Sequence, residues 1–395
     1  MRIGINCLKI DPSFAGGLNT YMFGLLDGFA AATNGHQFQL YVSHSNQHLF
    51  AKYAGQKGFE LIVAGDRLQG IRSAMCRATL LFKSPKLYEL ASNTAFSNLR
   101  AMMDADCDIL YTPTVVLPCF NSRKPTVLSM HDIQHVHYPE FFSWPRRLSR
   151  KLTYALSARH ANYFQASSNF IKQDLLAHFT EISPEQVHVI REGVILGEFS
   201  NRRDHEALRS RYDLPERFLF YPAQLWQHKN HLTILKALKQ IETQEGLKIP
   251  LVLTGTRYSA APAISRFVAD QAMNYVRYLG KVPFEDLVGL HQMAAFHINA
   301  SLYEASSLPI LEAAAAGTPI ISSRIPPIEE LGRVLQLNLF EPLDAKALAR
   351  LILDLWKDET TPALQAAHNR EHIASYSWEN AARKYLQLFS RIVNR

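Results

Sequence analysis

Short apolar runs alternate along this chain with longer segments whose apolar positions recur at three- and four-residue spacing. That rhythm predicts strands and amphipathic helices layered around mainly parallel sheets. Residues 2–8 form the first strand candidate, and a Gly16-Gly17 loop follows. Leu18, Tyr21, Met22, Leu25, Leu26 and Phe29 then mark one stripe of a helix. Further strand-like runs fall at residues 38–42, 60–64, 108–112, 126–130 and 163–167. A polar, charge-rich stretch at 196–215 precedes a second series at 218–221, 250–254, 276–279, 296–300 and 319–322. A closing helix at 378–389 sets Ala381, Ala382, Tyr385 and Phe389 on one face. Two successive series of this kind, separated by a polar linker, predict two doubly wound α/β domains facing across a cleft. Open α/β sheets bind ligands beyond the carboxyl ends of their strands.

Composition changes this picture little. The 395 residues suit two or three domains, and 47% hydrophobic with 19% charged residues is ordinary for a globular chain. Disordered, collagenous and disulfide-scaffold classes are excluded. Cys7, Cys76, Cys107 and Cys119 form no C-x-x-C pair or zinc-ligand spacing and read as small core residues of a reducing compartment. The first residues lack the apolar core of a signal peptide, and no run reaches the ~18 apolar residues of a membrane span. A cytoplasmic protein is the expectation. The net charge of +7 is modest and dispersed, which gives no reason to expect nucleic acid but is compatible with anionic ligands or lipid surfaces.

The chemistry concentrates in residues 296–322, FHINASLYEASSLPILEAAAAGTPIIS, read as strand, loop, helix, glycine stop, strand. Pro309 fits the first helical turn, Ser306 or Ser307 the cap, and Gly317 the position past the end. The helix start therefore offers N–H groups and a positive dipole end to a phosphate. Glu304 lies before the helix and Glu312 about one turn inside it. No serine stands three residues before Glu312, so a capping box does not explain it. A glutamate placed simply to suit the dipole remains an alternative.

The stretch from Glu304 to Glu312, E-A-S-S-L-P-I-L-E, resembles the E-x7-E motif of the family-4 retaining glycosyltransferases, usually E-G-F-G-L-P-x-L-E. Other landmarks of that family follow in order over nearly the whole chain. The resemblance implies a GT-B fold of two Rossmann-like domains, an acceptor-side domain at 1–195 and a nucleotide-sugar domain at 196–375. The terminal helix at 376–395 would pack back on the first. Glu304 would hold hydroxyls of the transferred sugar, Glu312 the ribose, and amides near Ser307 and Leu308 the diphosphate. Ser306 and Ser307 replace the usual Phe-Gly.

The segment Y-P-A-Q-L-W-Q-H-K-N from Tyr221 is similar to the family's G-R-L-x-x-x-K-N. Lys229 would neutralise the leaving diphosphate, Asn230 would sit beside it, and Gln224 stands where many members carry Arg. His228 is the nearby group that could compensate. Gly16 and Gly17 would close on the donor phosphate. His131 would contact the donor sugar, with Asp132 orienting its ring or facing the acceptor. The resemblance implies no metal or other cofactor, and retention needs no paired carboxylates of the glycosidase kind.

The cluster His131, Asp132, His135 and His137 lacks a clean metal-ligand spacing. Arg72, Arg77, Lys83, Lys86 and Arg100 punctuate residues 68–103 with Glu89 as their sole acidic companion, and Arg146, Arg147, Arg150 and Lys151 follow Trp144. Such basic amphipathic segments suit either a solvated face or contact with an anionic membrane. The resemblance implies transfer of a hexose, mannose first, from a GDP- or UDP-sugar to a glycan or lipid-linked acceptor in surface polysaccharide synthesis. A nucleotide-sugar epimerase of the same architecture and a catalytically silent subunit are the alternatives.

Overall fold

The computed structural model describes residues 1–10, 17–32, 35–64 and 69–394. The chain forms two compact units, Met1–Arg191 with Trp378–Arg395, and Glu192–Ser377.

Among the described residues the first unit contains β1 (Arg2–Asn6), β2 (Gln37–Val42), β3 (Phe59–Val63), β4 (Ile109–Thr112), β5 (Thr126–Ser129), β6 (Tyr163–Ala166) and β7 (Val187–Val189). They form one parallel sheet in the order β3-β2-β1-β4-β5-β6-β7. The second contains β8 (Leu219–Pro222), β9 (Leu251–Thr254), β10 (Val276–Tyr278), β11 (Phe296–Asn299), β12 (Ile320–Ser323) and β13 (Asn338–Phe340). These form a parallel sheet in the order β10-β9-β8-β11-β12-β13. Central strands such as β9 and β11 are buried at every position, which is why they read as apolar runs without alternation. In each sheet the strand order reverses once, between β1 and β4 and between β8 and β11. Those switch points open a crevice at the carboxyl ends of the strands.

The polar stretch at 196–215 is not a linker. It folds as two short helices, Leu196–Ser200 and His205–Tyr212, that belong to the second unit. Phe199 is buried with its ring 5.8 Å from Phe284, and Arg211 and Tyr212 both hold the carboxylate of Asp286, at 2.8 and 2.5 Å. Charges that suggested a linker are paired within the unit, Arg203 with Glu198, Arg211 with Asp286 and Asp213 with Arg277.

The last helix, Trp378–Val393, returns to the first unit and packs along the helix Gly17–Ala31. Gly24 and Gly28 form a notch for it, since a Cβ on either would lie 2.2 or 2.3 Å from atoms of Trp378. Beneath the contact the Tyr385 hydroxyl meets those of Tyr21 and Tyr111, which in turn meet the hydroxyl of Ser129, with Tyr21 to Tyr111 at 2.6 Å and Tyr111 to Ser129 at 2.7 Å. Burial pushes the phenols of Tyr111 and Tyr385 well above their ordinary values, so they stay protonated and can donate. The four cysteines are free and buried.

Candidate functional site

In the second unit the loop after β8 and the loop after β11 lie on either side of the strand-order reversal. The first closes in a tight turn, Gln227–Lys229, before the helix His231–Glu245. Its carbonyls are tied across: Leu302 N donates to His228 O at 2.8 Å, and Tyr221 OH donates to Lys229 O at 2.9 Å. This brings Lys229 Nζ to 2.5 Å from Glu304 Oε1. Ser301 Oγ donates to the same carboxylate oxygen at 2.6 Å, and Ser323 Oγ donates to Ser301 O at 2.6 Å. Lys229 and Glu304 are both largely buried, with 18% and 13% of their side chains exposed. A mostly desolvated pair of this kind is held in one geometry, unlike a surface pair.

Glu304 is followed by the helix Leu308–Ala316, stopped by Gly317 at φ 75°. Ser307 is its cap residue by position only. Neither serine caps it as expected: Ser307 adopts φ 91°, ψ 76°, and its side chain makes no cap hydrogen bond. Its hydroxyl is buried without a hydrogen-bond partner in the protein. The turn is therefore shaped for a residue without a Cβ, and the first-turn N–H groups lack the usual side-chain acceptor. Pro309 contributes no N–H there. Glu312 is buried one turn inside, its Oε2 3.7 Å from Nε2 of the fully buried His291. The His291 and His297 rings stack at 5.4 Å, and burial holds His297 well below its usual value, so it stays neutral.

Gln224 accepts a hydrogen bond from Trp226 Nε1 at 3.0 Å, and the Trp226 ring stacks on Tyr258 at 3.8 Å. Its carbonyl end is thus engaged by an indole. Asn230 sits in the left-handed region and ties loops together: its Nδ2 donates to Ala300 O at 3.1 Å and to Pro342 O at 2.7 Å. Asn230 shapes the turn that presents Lys229.

In the first unit Gly16 lies outside the described residues, and Gly17 is the first residue of its helix. His131 follows β5, and its Nε2 donates to Pro113 O, after β4, at 2.8 Å. Burial lowers its pKa, so a neutral ring keeps Nδ1 as an acceptor. Its flank rests edge-on against Tyr21, ring centroids 4.8 Å apart. Asp132 does not orient that ring. Its Oδ1 accepts from Arg150 Nη1 and from Gln134 N, each at 3.1 Å, because the chain turns away into the helix after Ile133.

The four-residue histidine cluster does not converge. His135 packs edge-on against Tyr154, and His137 Nε2 meets both oxygens of Asp174 at 2.8 and 2.9 Å. His178 completes a group whose ligand-type atoms lie within 4.8 Å. Hydrogen bonds account for that group, since His178 Nδ1 donates to the backbone O of Asp174 at 2.8 Å. Ser301 and His291 had no sequence signal beyond ordinary core residues, and Tyr221 and Trp226 stood in the segment from Tyr221 without an assigned role. Tyr221 and Ser301 join the loop after β8 to the loop after β11, and His291 reaches Glu312 from the helix Phe284–Met293.

Residues 204–387 match the family of glycosyl transferases group 1, and residues 15–198 match glycosyltransferase family 4. O-antigen chain mannosyltransferase B of Escherichia coli is 25% identical over 293 residues, 73% of this chain and 76% of that protein. Among solved structures, sucrose-phosphate synthase of Thermosynechococcus elongatus superposes with a TM-score of 0.75 at 20% identity, covering 100% of this chain and 99% of that one. HepE of Anabaena, solved with UDP and glucose, gives 0.72 at 18%, covering 99% and 100%. The family matches in both halves, the two parallel sheets and these likenesses agree: the chain is a glycosyltransferase built of a family 4 domain followed by a group 1 domain, and has the GT-B fold.

Proposed function

We propose that this enzyme transfers a hexose, mannose in the first instance, from a nucleotide diphosphate sugar to a hydroxyl of a glycan or lipid-linked acceptor, with retention of configuration. The observation that carries the reading is the start of the helix Leu308–Ala316: an uncapped N-terminus with a strained, unpartnered Ser307, flanked by Glu304 on Lys229 and by Glu312. Uncapped N–H groups and a dipole favour an anion there, and a buried hydroxyl without a partner gains one from a phosphate oxygen. Lys229 shares its charge with the departing diphosphate, and Glu304, then relieved of part of that pairing, accepts from sugar hydroxyls. Glu312 accepts from the ribose. The acceptor oxygen bonds to the anomeric carbon as the bond to phosphate breaks. The acceptor proton passes to the leaving phosphate on the same face. His131 contributes its Nδ1 beside the sugar and is not needed as a base. Mannose is preferred because the relative from Escherichia coli is named a mannosyltransferase, which favours GDP over UDP. The reaction belongs on the cytoplasmic side of a membrane that holds the acceptor.

The test is thermal denaturation with UDP-, GDP-, ADP- and dTDP-sugars. A ligand at 100 times its Kd adds about 2.7 kcal/mol. We expect a shift with GDP-mannose that Glu312→Ala abolishes, while Glu304→Ala loses transfer but keeps GDP binding. Equal loss of GDP binding in both variants refutes the assigned roles.

A further inference from the structure

The first unit carries an apolar surface that its fold leaves open. Met75, Leu81, Phe82, Leu90 and Trp144 are each between 59% and 75% exposed. They come from adjacent elements: the helix Gln69–Ala78, the turn Thr79–Phe82, the helix Pro85–Ala95 and the start of the helix Trp144–His160, which pack against one another. In the helix Pro85–Ala95, Tyr88 and Ser92 face inward, and Leu87 and Leu90 share the outward face. An isolated exposed leucine needs no explanation, but a contiguous set of large apolar tips marks a docking surface.

Its charge is one-sided. Arg77, Lys83, Lys86, Arg146, Arg147 and Lys151 are exposed on the same elements, and Lys83 Nζ lies 5.4 Å over the ring of Trp144. Glu89, the acidic residue among them, is turned away: it pairs with His160 at 3.2 Å and accepts from Asn121 at 3.1 Å. Cations whose stems frame exposed leucine, phenylalanine and tryptophan tips match a bilayer with anionic head groups, where apolar tips enter the interface and cations meet phosphates. A nucleic acid offers nothing to the aliphatic tips, and a second copy of this face would repel it.

We infer that this surface seats the enzyme on an anionic phospholipid bilayer. The inference deepens the proposed function by placing a lipid-linked acceptor within reach, and rests on that reading only for the acceptor.

The test is co-sedimentation of the full chain with vesicles of phosphatidylcholine alone or with about one third phosphatidylglycerol. Binding is expected only to the anionic vesicles and falls with salt. Lys83→Gln and Lys86→Gln should each weaken it about fivefold, and Phe82→Ser about tenfold or more. All three positions are exposed, so folding is preserved, and an unchanged melting curve verifies it. No binding to anionic vesicles, or variants that bind like the parent, overturns the inference. Self-association that Phe82→Ser abolishes, without vesicle binding, assigns the face to a second copy and overturns it too. Donor-induced thermal shifts, measured without lipid, report on the proposed function separately.

Discussion

Replacing Ser307 with glycine should stabilise the second unit and weaken donor binding at once. At φ 91° a side chain is held in a sparsely populated region, at about 1–3 kcal/mol. Its buried, unpartnered hydroxyl adds a desolvation penalty of about 1–3 kcal/mol. Glycine removes both and returns about 0.5–1 kcal/mol through the greater freedom of the unfolded chain. The net gain is at least about 1 kcal/mol, which raises the midpoint of a unit this size by at least about 2–4 °C. If the hydroxyl donates to the diphosphate, the variant loses a hydrogen bond to a charged group. That is about 1.5–3 kcal/mol, or roughly 10- to 150-fold in Kd. Thermal and guanidinium unfolding measure the first effect and calorimetric titration with GDP the second. Ser307→Ala separates the terms, because it keeps the Cβ and deletes only the hydroxyl. A glycine variant that is less stable than the parent, or that binds GDP equally well, refutes the reasoning.

Buried histidines make stability depend on pH. Burial, aided by the nearby Arg150, lowers His135 from 6.5 to about 4, and burial lowers His231 to about 3. The unfolded chain therefore binds more protons, and stability that is full above about 6.5 is lost as the pH falls towards 4. Guanidinium midpoints should drop over that window and drop less in His135→Leu; an identical drop clears His135. Gly28→Ala tests the terminal helix: about 1 kcal/mol of helix propensity is gained, but a Cβ 2.3 Å from the Trp378 carbonyl forces backbone apart, so a net loss is expected. Gly197→Ala, whose Cβ meets nothing within 4 Å, should not lose stability, and equal outcomes for the two by urea unfolding would show the notch is not tight.

The parallel sheets were legible because their strands are buried on both faces and flanked by helices with a clear stripe. β7 and β13 were missed, being three-residue edge strands, and Val187-His188-Val189 carries a polar centre that breaks any run. The stretch 196–215 reads as a linker from its polar composition, whereas Asp286, more than seventy positions on, pairs with Arg211 and ties the stretch to the second unit. At the candidate site the motif residues were visible and their partners were not. Nothing in the spacing announces that Lys229 rests on Glu304, that Asp132 turns to Arg150, or that Ser307 leaves its helix uncapped. Those facts belong to loops brought together by strand order.

The terminal helix inverts the usual sequence of events during synthesis. Domains generally fold in the order they leave the ribosome. Here the unit encoded first lacks Trp378, Tyr385 and Phe389 until the whole of the second has been made, while the second, being contiguous, is whole once Ser377 has emerged. Until then the groove along Gly24 and Gly28 and the hydroxyl of Tyr111 stand uncovered, a surface for a chaperone or for aggregation. A product truncated before Trp378 would carry a finished second unit on an unfinished first one, so that intact nucleotide binding would be no guarantee of a sound enzyme.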